Sequence, residues 1–474
     1  MMNKIRQHSL PVLLLCGLLP SALMAAEPTL DEALSGFDNP EPPGDSLDTV
    51  LEGFDENTPS LAEQPPVDEQ GARKDWRLSG YLALSLSYNY AHQAPDEGEI
   101  DHRGLSRLRS FANLELDGRL NADWETHIEG HLFYDAAYSL NGRDNYTQQM
   151  LEAYESEAEW DSVYLRGRLA TSLDLKLGRQ IVVWGKSDNL RVTDVLNPLD
   201  QREPGMTEIE ELRLPVTMAK LDYYAGDWNL SAMAIPEVRF SKLPAYGSDF
   251  YPYPLPPPEE EIPADGLDNM QYAAAANGIF SGWDLSFYWA ERYSDTAYTL
   301  VRDDTPLRLH QRQQMFGSAI NVASGNWLWK SEIAHFDDIR FNNLPGRSKR
   351  RSDLLLGFEY AGLRDASLSL ETVCRHLHGF DDELAAQGYR EDEWQSAFRY
   401  SGDFLHARLN LLAVVVIFGE RLDEGGYGRF SATYELAEAL KLTGGLMLYA
   451  GGPRPPTLGI ENNDRLFAEI KYSF

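Results

Sequence analysis

The chain has 474 residues, a formal net charge of −32, and 10 Trp, 24 Tyr and 19 Phe. Such acidity excludes nucleic acid as a partner, since phosphate backbones are held by basic patches. Beyond the first 26 residues no stretch approaches the ~18 apolar residues that a membrane-spanning helix requires.

Residues 1–26 carry Lys4 and Arg6, an apolar run from Leu10 to Leu19, then small residues to Ala25 and Ala26. This is a secretory signal, absent from the mature protein. Leu15 stands before Cys16, where a lipidated cysteine needs a small residue. The mature chain then keeps only Cys374 and forms no internal disulfide.

Residues 27–75 hold 14 acidic and two basic residues and many prolines, a composition expected to be disordered. Within this tail Thr29–Asp38 recurs as Ser46–Asp55. Each copy opens on a helix-capping hydroxyl, and the apolar residues fall on one helical face. Two turns of helix do not hold in water alone. Leu30, Leu34, Phe37, Leu47, Leu51 and Phe54 are therefore expected to dock on a periplasmic protein or plug a barrel from below, the plainer alternative being a weakly helical linker. Gly44-Asp45-Ser46-Leu47 spells a serine-esterase signature, but it lies in an acidic tail after two prolines rather than in an α/β core.

From Trp76 the pattern alternates with period two. Leu78, Gly80, Leu82, Leu84, Leu86 and Tyr88 form one parity, and Arg77, Ser79, Tyr81, Ala83, Ser85 and Ser87 the other. In a membrane barrel the first set meets lipid and the second the lumen. Eight short turns are expected, at 121–124, 171–174, 225–228, 281–283, 324–327, 362–365, 401–404 and 437–439. Several precede an aromatic residue, as in a membrane-boundary girdle. Longer connections alternate with them, at 92–104, 141–150, 237–268, 340–350, 379–391, 420–426 and 451–462. With both ends on the periplasmic side, eight turns predict an all-β, antiparallel outer-membrane β-barrel over 76–474 with about 18 strands. Sixteen is the alternative, because 141–160 and 285–315 read ambiguously.

The inward parity places Arg107, Arg109, Arg166, Arg168, Lys176 and Arg408 on the lumen wall, together with Glu115, Lys330, Glu332 and Glu359. Residues 405–417 read as one strand with odd residues facing lipid. The last strand ends Leu466, Ala468, Ile470, Tyr472, Phe474 on the lipid parity. Tyr472 and the terminal Phe474 resemble the assembly signal of bacterial outer-membrane barrels, which implies recognition by the barrel-assembly machinery.

One stretch departs from this rhythm. A strand over 173–184 puts Arg179 on the lipid parity, at a cost of ~2–4 kcal/mol at mid-membrane, so a bulge or kink is expected at Gly178 to return it inward. Residues 185–215 are too long for an ordinary connection. Folded into the lumen, Arg179, Lys186, Asp188, Arg191, Asp194, Asp200, Arg202 and Glu203 would form a charged constriction. Here Gly178-Arg-Gln, Trp184-Gly185 and Val195-Leu-Asn-Pro-Leu-Asp200 resemble a family of proteobacterial outer-membrane proteins of unknown function, distantly similar to alginate-export and other porin-like barrels. The resemblance implies an 18-strand barrel with a transport-like role and no transferable catalytic residues.

His127 and His131 share a strand face ~13 Å apart at ~3.3 Å per residue, too far for one ion, and His376 with His378 lacks a third ligand. No metal, cofactor or catalytic residue is expected. The sequence thus points to an outer-membrane channel for a small polar or amphipathic solute. The alternative is a lipid-embedded anchor whose tail repeats recruit a periplasmic export or lipid-handling partner.

Overall fold

The computed structural model describes residues 75–207, 209–421 and 423–474, with only the backbone of 209 and 210. The signal peptide, the tail repeats and the esterase-like tetrapeptide lie outside the described residues. The strands are β1 (Trp76–Asn89), β2 (Gly104–Arg119), β3 (Trp124–Asp135), β4 (Ser156–Ala170), β5 (Leu173–Gln180), β6 (Val216–Ala225) and β7 (Trp228–Ile235). Next come β8 (Glu259–Glu261), β9 (Gln271–Phe280), β10 (Trp283–Tyr293), β11 (Tyr298–Arg302), β12 (Thr305–Leu309), β13 (Arg312–Ser324) and β14 (Trp327–Ile339). The last are β15 (Lys349–Leu363), β16 (Ala366–His378), β17 (Asp392–Phe404), β18 (Leu409–Phe418), β19 (Gly426–Ala437), β20 (Leu440–Ala450) and β21 (Arg465–Ser473).

Eighteen of these form one antiparallel sheet in which each strand pairs its sequence neighbours, and β21 pairs β1. Closure leaves no free edge, the condition for a sheet to cross a bilayer. The remaining three, β8, β11 and β12, form a small separate sheet. They account for the ambiguous 285–315 region, where a hairpin stands outside the ladder, while 141–160 holds the short helix α2 (Gln148–Tyr154), with another, α1 (Ala137–Leu140), just before it. Sixteen strands is therefore excluded.

Alternation decides the faces. Leu78, Leu82, Leu84, Leu86 and Tyr88 are exposed on the outer wall, whereas Ser87 and Asn89 are buried inside. On β21 Leu466, Ile470, Tyr472 and Phe474 are likewise exposed outward. Phe474 closes the barrel: its N–H donates to the Gly80 carbonyl at 3.0 Å, and its own carbonyl accepts from Gly80 at 3.1 Å. Deleting Phe474 removes both bonds, a net loss of ~1–3 kcal/mol. We expect less folded barrel and a lower thermal midpoint, read by heat-dependent electrophoretic mobility; wild-type values for both would refute a seam role.

One expected turn is misplaced. Ser401-Gly-Asp-Phe404 looks like a tight turn, yet these residues continue β17, with Ser401 opposite Leu412 and Gly402 opposite Leu411. The chain reverses at 405–408, where Leu405, His406 and Ala407 take left-handed φ of 55°, 59° and 62°. Ladder register overrides the local preference of Gly and Asp for turns. Arg408 consequently leaves the lumen wall for the barrel rim, its guanidinium 5.3 Å from the Tyr434 ring.

Candidate functional site

β5 ends at Gln180, earlier than its apolar pattern suggests, because Gly178 takes φ +125°. The ladder keeps its register there, so the device is a kink without an inserted residue. Arg179 turns inward and pairs with Glu159 at 2.8 Å and Glu237 at 3.4 Å. The fully buried Gln180 amide donates to the carbonyls of Gly178 and Met218.

From here the described residues of 181–215 run through the barrel interior. Two wall carboxylates hold the first lobe. Glu332 on β14 accepts from the N–H groups of Lys186 (2.6 Å), Ser187 (2.8 Å) and Thr193 (3.1 Å), and from the Thr193 hydroxyl (2.7 Å). Glu371 on β16 accepts from Asp188 N–H (2.9 Å), Asn189 N–H (3.0 Å) and the Ser187 hydroxyl (2.6 Å). Gly185 makes room: a Cβ there would stand 2.7 Å from a Glu332 oxygen, and its φ is +87°. Both carboxylates are within 2% of full burial, tolerable because backbone donors saturate them.

Apolar packing adds to these hydrogen bonds. Val182, Trp184, Leu190, Val192 and Leu196 form one cluster with inward-facing Val216, Met218, Met315, Leu355, Val373 and Val416. Burying each aliphatic side chain is worth ~1.5–3 kcal/mol, about as much as one hydrogen bond to a charged group. Trp184 stacks on Tyr288 of β10 at 4.8 Å. Small residues beneath the segment, Ala273, Ala275, Ala290, Ala319, Ala334 and Ala397, are buried too. The inner wall is thus apolar where the segment lies on it, a departure from the polar lumen lined by charges of both signs that the inward parity suggested. Asn197 ties entry to exit, accepting from Val182 N–H at 2.8 Å and donating to the Leu214 carbonyl at 2.9 Å.

The second lobe, 200–206, meets the opposite wall. Glu203 pairs with Arg107 and lies 3.9 Å from Arg109 on β2. Arg202 joins Asp200 and Glu157 of β4, and Tyr449 of β20 donates to the Pro204 carbonyl at 2.8 Å. Of the remaining charges proposed for a constriction, Lys186 pairs with Asp284 at 3.0 Å, Asp188 with Lys330, and Asp194 with both Arg191 and Arg213. All eight are therefore in ion pairs, and several serve to fix the segment.

A second connection, 236–270, also reaches inward, although its length and composition read as an external loop. Arg239 and Lys242 pair with Glu159, and Lys242 also with Glu157 at 3.0 Å. Asp249 in this connection pairs with Arg465 at 2.7 Å. Burial alone would raise the Asp249 carboxyl, but Arg465, His102 and His92 outweigh it and hold it below its usual value. Glu157 and Glu159 could have been found from the period-two run Glu157-Ala-Glu-Trp160; Glu371 carried no local signal.

Arg166 and Arg168 keep the inward parity near the short-turn rim, and the Lys176 ammonium lies 3.7 Å over the Tyr164 ring. His127 and His131 sit in separate hydrogen-bonded groups, with Asp117 at 2.9 Å and Asp161 at 2.7 Å respectively. Glu115, Asp117 and His127 bring one ligand atom each within 4.8 Å of one another, a convergence across β2 and β3 that their sequence positions do not suggest.

Residues 70–474 match a family described as protein of unknown function (DUF1302). The chain belongs to the DUF1302 family. No curated protein matches it in sequence. Among solved structures, this DUF1302 barrel is similar to Acinetobacter baumannii OccAB2, with 13% identity and a TM-score of 0.49, covering 84% of this chain and 98% of that one. It is also similar to Pseudomonas aeruginosa OccK11, with 13% identity, TM-score 0.47 and coverage of 84% and 96%. The outer-membrane protein OpdK of the same species gives 10% identity, TM-score 0.48 and coverage of 84% and 99%.

Proposed function

We propose that the protein is an outer-membrane, porin-like channel giving passive passage to a small polar or amphipathic solute, with residues 181–215 as its constriction. The observation that carries this is a closed 18-strand barrel whose interior is narrowed by a segment docked on opposite walls. Its charges are mutually compensated, so the constriction sorts by size and hydrogen bonding before net charge. Planar-bilayer recording of wild type beside a deletion of 186–211 tests it. Wild-type current that grows on deletion supports the channel.

Extensive apolar packing between segment and wall favours a second reading, a non-conducting anchor. Its partner would be a periplasmic protein bound through Leu30, Leu34, Phe37, Leu47, Leu51 and Phe54. Absence of current from both proteins, with a partner captured only when 27–70 are present, supports that reading.

A further inference from the structure

The outer wall of a membrane barrel should be apolar until it reaches headgroups. On β14 and β15 the outward residues Ile333, Leu354 and Leu356 obey this and are 53%, 45% and 59% exposed. One outward step toward the long-loop end, the surface changes character. His335 lies opposite Ser352, Ser352 opposite His376, and Arg350 opposite His378, all on the outer parity. The Ser352 hydroxyl joins His335 Nδ1 at 2.9 Å and His378 Nε2 at 2.8 Å. The His376 and His378 rings lie 4.8 Å apart, and His376 is held by Asp392 at 2.7 Å.

Beside these residues an open cleft of about 730 Å³ is lined by Glu291, Arg312, Gln314, Asp337, Arg350 and His378, among others. Most of its charges are committed. Arg312 is bonded to Glu291 at 2.8 Å, Lys349 to Asp381 at 3.0 Å, and Asp337 lies 3.7 Å from His335. Asp338 also lines the cleft. The Arg350 guanidinium has no hydrogen-bond or ion-pair partner among the described residues. It is placed where the apolar wall ends, next to imidazoles that can donate.

We propose that this cleft is a binding site for the phosphate of an anionic membrane lipid, with Arg350 and His378 as its principal donors. Position argues for a lipid over a soluble anion: the cleft opens on the outer wall directly above the apolar belt, so acyl chains can lie against Ile333, Leu354 and Leu356 while the headgroup meets Arg350. Guanidinium matches phosphate geometry and stays charged at every physiological pH. The site lies outside the lumen and is independent of whether the barrel conducts.

The test is native mass spectrometry of the full protein released from nanodiscs containing equimolar diphosphorylated lipid A and its dephosphorylated form. Wild type should retain the phosphorylated lipid preferentially. Arg350→Ala should lower that retention about tenfold, the weight of one charge-assisted contact. His378→Gln should lower it less, and Arg364→Ala, at a 97% exposed side chain in a short turn, should leave it unchanged. Heat-dependent mobility confirms that each variant is folded. Equal retention of the two lipids, or unchanged retention in Arg350→Ala and His378→Gln, overturns the proposal. So does displacement of the lipid by equal free inorganic phosphate, or a dimer that Arg350→Ala dissociates, which would assign the cleft to a second copy.

Discussion

Replacing Glu332 and Glu371 together with alanine should raise single-channel conductance toward that of the 186–211 deletion and make the open current noisier, while the barrel stays folded. The two carboxylates accept from five backbone N–H groups and two hydroxyls of the segment. Leaving a buried donor without a partner costs ~1–3 kcal/mol. Five such donors together outweigh the burial of any two of the segment's aliphatic side chains at ~1.5–3 kcal/mol each, so the lobe should leave the wall and expose its N–H groups to water. The strands keep their own ladders, which is why loss of the barrel is not expected. Conductance identical to wild type in the double variant would mean that apolar packing alone holds the lobe.

Gly178→Ala should abolish assembly of the folded barrel, read as loss of heat-dependent mobility and of the wild-type thermal transition. A Cβ at this position would stand 2.2 Å from the Val163 carbonyl oxygen and 2.9 Å from the Tyr164 Cα. Both are backbone atoms of β4, which cannot move without breaking its pairing with β5. The φ of +125° adds ~1–3 kcal/mol for any side-chain-bearing residue. Straightening the kink instead would carry Arg179 to the outer wall, away from Glu159 and Glu237, at ~2–4 kcal/mol if it stood at mid-membrane. Gly444→Ala is the matched control, since a Cβ there meets nothing within 4 Å. Wild-type behaviour in Gly178→Ala would show that the kink is dispensable.

Much of the wall was readable because its cause is local. Side chains alternate along a strand whatever the rest of the chain does, so Leu78 to Tyr88 and Leu466 to Phe474 declared their faces. Arg179 declared the kink at Gly178 for the same reason, as a charge on the wrong parity. The failure at Ser401–Phe404 shows the limit of local preference: those residues are good turn formers, but their pairing with β16 and β18 extends the strand. The strand β18 reads apolar on both faces, Leu411 and Val415 outward and Val414 and Val416 inward. The inward Val416 is buried in the cluster that the inner segment forms with the wall, as strands covered on both faces are.

The motif that carried the family resemblance now has a physical content. Gly178 kinks the strand, Gln180 and Asn197 satisfy buried carbonyls, Trp184 packs on Tyr288, and Gly185 leaves room for Glu332. By itself the sequence determined the barrel, a strand number of about 18, the faces of most strand residues and the existence of an unusual inward segment, because periodicity and turns act over a few residues. Tertiary structure alone decided that this segment is clamped by Glu332 and Glu371, that its charges are compensated by Arg107, Glu157, Asp284 and Lys330, and that 236–270 joins it. Those partners lie up to 184 residues away along the chain, and only closure of the sheet brings their strands around a common interior.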